Sequence, residues 1–210
     1  MALKIIWSLI LLNQFLENIT NMKVATVSFN SIWEDKEANL IQFERIVKSL
    51  KLKVEIVIFP EMTFTGFWLS NLELAEDLTS SFLIKKIKKI AQENQMNIKF
   101  GLMTSRGNEK YNSCISINKN GEIESIFDKM HLFSFSGEDH FITGGTNLKS
   151  INWKGGWGLS ICYDLRFPEL YSSLAKDCDL IINIANWPSK RVEHWNTLLK
   201  ARAIENQIFM

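Results

Sequence analysis

Two periods of apolar residues take turns along the chain. Val24-Ala25-Thr26-Val27-Ser28-Phe29 is strand-like, and after it Leu40, Phe43, Ile46, Val47 and Leu50 recur at the spacing of one helical face. Val54-Glu55-Ile56-Val57-Ile58-Phe59 then reads as a buried strand that stops at Pro60-Glu61. Thr79 and Ser80 carry hydroxyls suited to capping a helix start. Leu83, Ile84, Ile87, Ile90 and Ala91 line one side of the helix predicted there, while Lys85, Lys86, Lys88 and Lys89 make its solvated face. A strand over Ile98 to Met103 precedes a hairpin, Tyr111 to Asn118 and Glu122 to Phe127, turned by Asn120-Gly121, a pair that tolerates positive φ.

The second hairpin strand delivers Asp128-Lys129-Met130-His131-Leu132-Phe133, and 134–147, rich in Ser, Gly, Thr and charge, reads as a long loop over a site. Strands follow near Ile151 to Trp153 and Trp157 to Ile161, then a helix near Pro168, a strand over Leu180 to Ala185 and a helix from Val192 to Gln207. On that last helix the spacing predicts a packed face of Trp195, Leu198, Leu199, Ala203 and Ile204, with Ile208-Phe209-Met210 leaving it as a strand stub. Such alternation predicts one α/β domain over 22–210. Residues 1–21 read as an upstream extension: Ile5 to Leu12 is too short an apolar run to span a bilayer, and no small-residue cleavage site follows it.

Composition narrows the partners. With 46% hydrophobic and 22% charged residues and a net charge of +1, no single-sign field recruits nucleic acid or an anionic membrane. A small molecule is the expected partner. Cys114, Cys162 and Cys178 are scattered, forming neither a disulfide framework nor a paired metal motif, which suits a reducing cytoplasm. Neither a metal nor a cofactor is expected; Glu138, Asp139 and His140 lack helical or paired-ligand spacing.

The candidate chemistry centres on Gly158 to Leu170, where an apolar strand runs into Cys162, turns, and gives way to a helix opening at Pro168. In outline this is a nucleophile elbow, which exposes a side chain and aims backbone N–H groups at its target. A thiol suits the place, and a helix N-terminus is expected to lower its pKa. A small buried apolar residue at a strand end is the competing reading of Cys162. Glu61 and Lys129, taken singly, read equally well as surface groups. All three stand just after strand ends, however, where ligand sites of α/β folds collect, and together they favour a site.

Phe59-Pro60-Glu61-Met62, Asp128 to Phe133 and Cys162-Tyr163-Asp164-Leu165-Arg166-Phe167-Pro168-Glu169-Leu170 resemble, in order, the three catalytic segments of the carbon-nitrogen hydrolases of the nitrilase superfamily. Gly66-Phe67, Gly137-Glu138, Ala185-Asn186-Trp187-Pro188, His194-Trp195 and Ala201 to Gln207 are most similar to the bacterial ω-amidases. The resemblance implies a four-layer α-β-β-α sandwich, a homodimer or larger assembly, and substrates of the 2-oxoglutaramate or 2-oxosuccinamate type. It also implies roles. Cys162 is the nucleophile, Lys129 and the Tyr163 N–H stabilise the oxyanion, Glu61 is the general acid and base, and Glu138 orients Lys129. Trp187 suits a pocket wall and Arg191 or Arg166 a substrate carboxylate, although core packing and pairing with nearby glutamates explain these three as well.

Members of the family usually continue past the point that Met210 represents, so the sandwich is expected to be incomplete at its C-terminus, with exposed apolar surface there. Two readings of function result. One is a working ω-amidase-like enzyme, and the other a truncated, non-catalytic remnant or interaction module that keeps the site residues.

Overall fold

The computed structural model describes residues 22–67, 69, 71–148, 150–152 and 155–210. The expected extension at 1–21, and Trp153 of one expected strand, lie outside them. In order come β1 (Val24–Thr26), α1 (Lys36–Leu50), β2 (Ile56–Ile58), β3 (Glu76–Asp77), α2 (Phe82–Asn94), β4 (Asn97–Arg106), β5 (Glu109–Ile117) and β6 (Ile123–Asp128). Then follow β7 (Ser150–Asn152), β8 (Gly156–Ile161), α3 (Pro168–Leu174), β9 (Leu180–Ile184) and α4 (Val192–Asn206). The first sheet runs β1-β2-β4-β5-β6 with β3 beside β4, and the second runs β7-β8-β9.

Three apolar clusters show how these pieces stack. Phe43, Val47, Ile84, Ile87 and Ala91 from α1 and α2 pack on Val57, Ile98, Phe100 and Ile115 of the first sheet. The opposite face of that sheet, with Ile56, Ile58, Cys114 and Phe127, meets Trp157, Leu159, Ile161, Ile182 and Ile184 of the second. Leu170, Tyr171 and Leu174 of α3, with Trp195, Leu198 and Leu199 of α4, then cover Ile181 on the far side. The order is helix, sheet, sheet, helix. The alternation of each strand explains it, since successive side chains leave opposite faces and both faces find cover.

Local signals held with small displacements. Asp35 caps α1 by accepting the Ala38 N–H at 2.9 Å, and Ser81, one residue beyond the expected pair, caps α2 through the Ile84 N–H at 3.0 Å. Thr79 and Ser80 donate instead to Asp77 Oδ1. A further hairpin joins β4 to β5 through Gly107, at φ +58°, and the polar run around it hides the turn from a periodicity search. The expected long loop over 134–147 contains two short 3₁₀ turns, Ser134–Ser136 and Glu138–His140.

The last helix corrects the expected face. Trp195, Leu198 and Leu199 pack inward, but Ile204 is 77% exposed, and Arg202 is buried. Positions 195, 198, 199 and 202 form the i, i+3, i+4, i+7 stripe with half-buried Ala203 at its margin, whereas 204 has rotated past it. Arg202 is accommodated because its Nε and Nη2 donate to the Leu165 carbonyl at 3.1 and 3.0 Å. Phe209 pairs with the edge of β9, its N–H donating to Asp179 O and its carbonyl accepting the Ile181 N–H, both at 2.9 Å. Beside it an apolar groove of about 560 Å³ runs between β1 and β9, lined by Val24, Val27, Ile182, Trp195 and Met210. Among the described residues no helix is long and apolar enough to cross a membrane.

One buried charge lies between the sheets with no carboxylate in ion-pair contact among the described residues. Lys99 is 2% exposed, donates to Ser116 Oγ at 2.6 Å and sits 5.4 Å from the Trp157 ring centre. Burial lowers its pKa from 10.5 to about 8. Because the unfolded chain then binds more protons between about pH 8 and 10.5, this lysine opposes folding fully below pH 8 and progressively less above it. Lys99→Met is expected to raise stability at pH 7 by about 2 kcal/mol, at ~1.4 kcal/mol per pKa unit less the lost hydrogen bond. Urea unfolding at pH 7 and pH 9.5 checks this. The gain should shrink at the higher pH, and a destabilised variant or a pH-independent gain would contradict it.

Candidate active site

β6 is antiparallel to β5, which is antiparallel to β4, so β2, β4 and β6 all point the same way and end on one edge of the first sheet. Glu61 lies in the turn just past β2, and Lys129 follows β6 directly. Gly101 of β4 lets the Glu61 turn lie against the sheet, since a Cβ there would sit 2.5 Å from Glu61 Cα. In the second sheet β8 and β9 are parallel, so Cys162 and Asn186 emerge on a shared edge. The two edges meet. Asn186 donates its backbone N–H to Glu61 Oε2 at 2.8 Å and its side-chain Nδ2 to the Glu61 carbonyl at 2.6 Å.

Glu61, Lys129 and Glu138 are all fully buried, which removes the surface readings of the first two. Lys129 Nζ donates to Glu61 Oε1 at 2.9 Å and to Glu138 Oε2 and Oε1 at 2.9 and 3.2 Å. Burial alone would lower the Lys129 pKa, but the two carboxylates more than reverse that and hold it above its ordinary value. The lysine is therefore a cation. Glu138 Oε2 also accepts the Phe133 N–H at 2.7 Å, tying the loop after Lys129 to the same carboxylate.

Cys162 sits at φ +46°, a left-handed conformation that costs a non-glycine residue energy and persists only where the surroundings impose it. The surroundings are polar and specific. Asn183 Oδ1 accepts the Cys162 N–H at 3.1 Å, and Asp164 Oδ2 accepts the Ile161 N–H at 3.0 Å. Asp164 Oδ1 also accepts the His131 N–H and contacts His131 Nδ1, each at 2.8 Å, so one carboxylate joins the elbow to the segment after Lys129. The Cys162 pKa is raised well above its ordinary value, first by burial and then by the charge of Glu61, with Lys129 opposing. This reverses the expected helix effect. The 3₁₀ turn Cys162–Arg166 and the seven-residue α3 are short, and desolvation beside a carboxylate outweighs their dipoles.

A cavity of about 470 Å³ opens over the thiol. Lys129, Cys162, Tyr163, Arg166, Trp187 and Arg191 line it, joined by Phe67, Phe133 and Phe135. All eight residues singled out in the sequence thus gather at one place: four in or under the floor, four on the walls. Trp187 serves in both of its readings, since it lines the cavity, packs 5.2 Å from the Trp195 ring and donates to Arg191 O at 2.8 Å. The arginines do not pair with glutamates. Arg166 Nη2 meets His194 Nδ1 at 3.2 Å, and the Arg191 guanidinium lies 5.4 Å from the Phe133 ring centre, with no carboxylate in ion-pair contact with either among the described residues. Asn112 and Asn183 were not singled out in the sequence, and Asp164 and Asn186 stood there only inside longer motifs, with no role of their own. For the three asparagines the available signal was a polar amide next to or inside an apolar strand. Among the described residues no group of three or more His, Cys, Asp or Glu is placed to hold a metal ion.

Comparison with known proteins agrees with this geometry. The carbon-nitrogen hydrolase family matches residues 23–210. The chain is 32% identical over 194 residues to omega-amidase YafV of Yersinia enterocolitica, covering 91% of this chain and 73% of that protein. It is 30% identical over 191 residues to the 2-oxoglutaramate amidase of Bacillus subtilis, covering 89% and 73%. A CN-hydrolase superfamily protein from Xanthomonas campestris, solved with an arsenic adduct in its active site, superposes with a TM-score of 0.84 at 28% identity, over 89% of this chain and 73% of that one. The expected four-layer fold of the nitrilase superfamily is therefore the observed one, and the chain is a hydrolase that belongs to the carbon-nitrogen hydrolase family.

Proposed function

We propose that the protein hydrolyses the terminal amide of a small dicarboxylate monoamide, of the 2-oxoglutaramate or 2-oxosuccinamate type, to the acid and ammonia through a thioester on Cys162. The observation that carries this reading is the pairing of two features across one cavity. A thiol stands over a buried lysine held by two carboxylates, and two arginines free of carboxylate partners among the described residues face the same space. The first is machinery for an amide carbonyl. The second suits a substrate that carries its own carboxylate, which a guanidinium binds in a bidentate fashion. Relatives named omega-amidase and 2-oxoglutaramate amidase support the same substrate class.

The chemistry follows from the charges. A thiol held protonated by burial and by the nearby charge of Glu61 needs a base, and Glu61 takes its proton as sulfur attacks the carbonyl carbon. Negative charge then develops on the former carbonyl oxygen. Lys129 and the Tyr163 N–H, which lies in a first helical turn and lacks an intrahelical acceptor, stabilise it. Collapse breaks the C–N bond as Glu61 returns the proton to nitrogen, and ammonia leaves. Glu61 next removes a proton from water, hydroxide attacks the thioester carbonyl, and the C–S bond breaks with the thiol reprotonated. A free catalytic thiol suits the cytoplasm, and a homodimer belongs to the same proposal.

The competing reading, a chain that keeps these residues without turning over substrate, draws on the apolar groove between β1 and β9. Ammonia release over a panel of ω-amides decides between them; no release from any member by a cooperatively folded chain would end the hydrolase proposal for this chain. Cys162→Ala is expected to abolish release, a loss of about 10⁴-fold or more. Cys114→Ala and Cys178→Ala should spare it, because neither thiol lines the cavity. Equal losses in all three variants would indicate folding damage instead.

Substrate recognition makes a separate prediction. Arg191→Ala or Arg166→Ala, whichever arginine holds the carboxylate, is expected to raise KM for a carboxylate-bearing amide by about 10- to 100-fold, as a charge-assisted hydrogen bond of about 1.5–3 kcal/mol is lost. Hydrolysis of an uncharged short amide should change little. Steady-state kinetics on both substrates checks this, and equal effects on the two would remove the anion-binding role.

A further inference from the structure

Asn112 begins the buried part of β5 and is fully enclosed. Its carbonyl accepts the Lys129 N–H at 2.8 Å, so the two residues are cross-strand neighbours and their side chains enter the same floor. One atom of Asn112, Nδ2, donates to Glu61 Oε1 at 2.7 Å and to Glu138 Oε1 at 2.9 Å. The orientation of the amide is dictated by charge, since the reverse would place an oxygen against both carboxylates. The consequence is an orphan: Asn112 Oδ1 is buried with no hydrogen-bond partner among the described residues. An unpaired buried acceptor is costly, so the residue is held here by its donor and not by its oxygen.

We infer that Asn112 is a positioning residue that decides which oxygen of Glu61 handles the proton. An NH₂ group has no acceptor, so Glu61 Oε1 must itself accept, and it already accepts from Lys129 Nζ. Two donors occupy Oε1, whereas among the described residues Oε2 accepts one, the Asn186 N–H. The thiol proton therefore passes from Cys162 sulfur to Glu61 Oε2, and from Oε2 to the departing nitrogen. The second hydrogen of Nδ2 holds Glu138 at a fixed distance from Glu61, so both carboxylates stay on Lys129. This role rests on the hydrolase mechanism proposed above and adds to it a residue that touches neither substrate nor sulfur.

Asn112→Leu, which keeps the shape and deletes both the donor and the orphan, is expected to unfold cooperatively and to melt within about 10 °C of the unaltered protein. Its kcat on the best ω-amide should fall about 10- to 100-fold with KM within about twofold, the loss of a charge-assisted bond made to the catalytic carboxylate. Asn112→Ala, which removes the donor without setting a third oxygen against the two carboxylates, should show the same split. The rate of Cys162 alkylation by iodoacetamide, followed by peptide mass spectrometry, should fall by about tenfold in both variants, because it too requires the thiol proton to be taken up. Unchanged kcat, a loss confined to KM, unaltered alkylation, or loss of the folded state in both variants would overturn the role. If the unaltered protein hydrolyses no amide in the panel, the proposed function fails while the alkylation comparison still tests Asn112.

Discussion

The placement of a lysine ammonium between two carboxylates, all three groups out of water, is the constraint on which the rest of this site depends. Burying Lys129 alone would expel its proton, and burying Glu61 and Glu138 alone would set two like charges side by side. Together they form a chain of charge in which each group makes the others tolerable. Removing one partner of such a buried pair typically costs about 3–5 kcal/mol. The triad therefore holds three distant stretches of sequence together, and it sets the polarity of the cavity floor.

Strain at the nucleophile answers that rigid floor. Cys162 is left-handed, and bonds from two directions keep it so: Asn183 on β9 takes its N–H, and Asp164 of the same turn ties Ile161 to His131. His131 in turn lies flat on Phe167, 3.7 Å between ring centres. From the other side, Arg202 donates two bonds to the Leu165 carbonyl. An elbow clamped at both ends presents sulfur in one place, and reaction with a positioned carbonyl gains most from such preorganisation. The same clamping explains why burial wins over helix dipoles in setting the thiol. A side chain locked against a carboxylate loses water without gaining a full helix end.

The fold serves this arrangement by bringing two sheet edges together. Parallel β2, β4 and β6 end where β8 and β9 end, and the polar groups that cannot be satisfied inside either sheet satisfy one another across the gap. Asn186 is the joint: its backbone and its side chain both bind Glu61. Apolar walls from Phe67, Phe133 and Trp187 then lower the dielectric around the thiol, while the arginines keep one part of the cavity positive.

Local pattern decided much of this. The alternating periods of Leu40 to Leu50 and Leu83 to Ala91, the turn at Asn120-Gly121 and the proline opening α3 are short-range signals, and the elements stand where those signals put them. Glu61, Lys129 and Cys162 could be named because strand ends are visible in sequence. Other features depend on contacts between residues far apart. Whether Lys129 is a cation and whether the thiol is protonated are questions about neighbours far along the chain, Glu138 and Glu61 lying 9 and 68 positions from Lys129, and the pairing of Arg166 and Arg191 is a question of the same kind. The roles of Asn112 and Asp164 escaped notice for the same reason, since an amide or carboxylate gains its meaning from what it faces. The exposed Ile204 and buried Arg202 make the point at a single helix. Sequence by itself determined that the helix forms and that Trp195, Leu198 and Leu199 share a face, but the carbonyl of Leu165, 37 positions away, decided which residue beyond them turns inward.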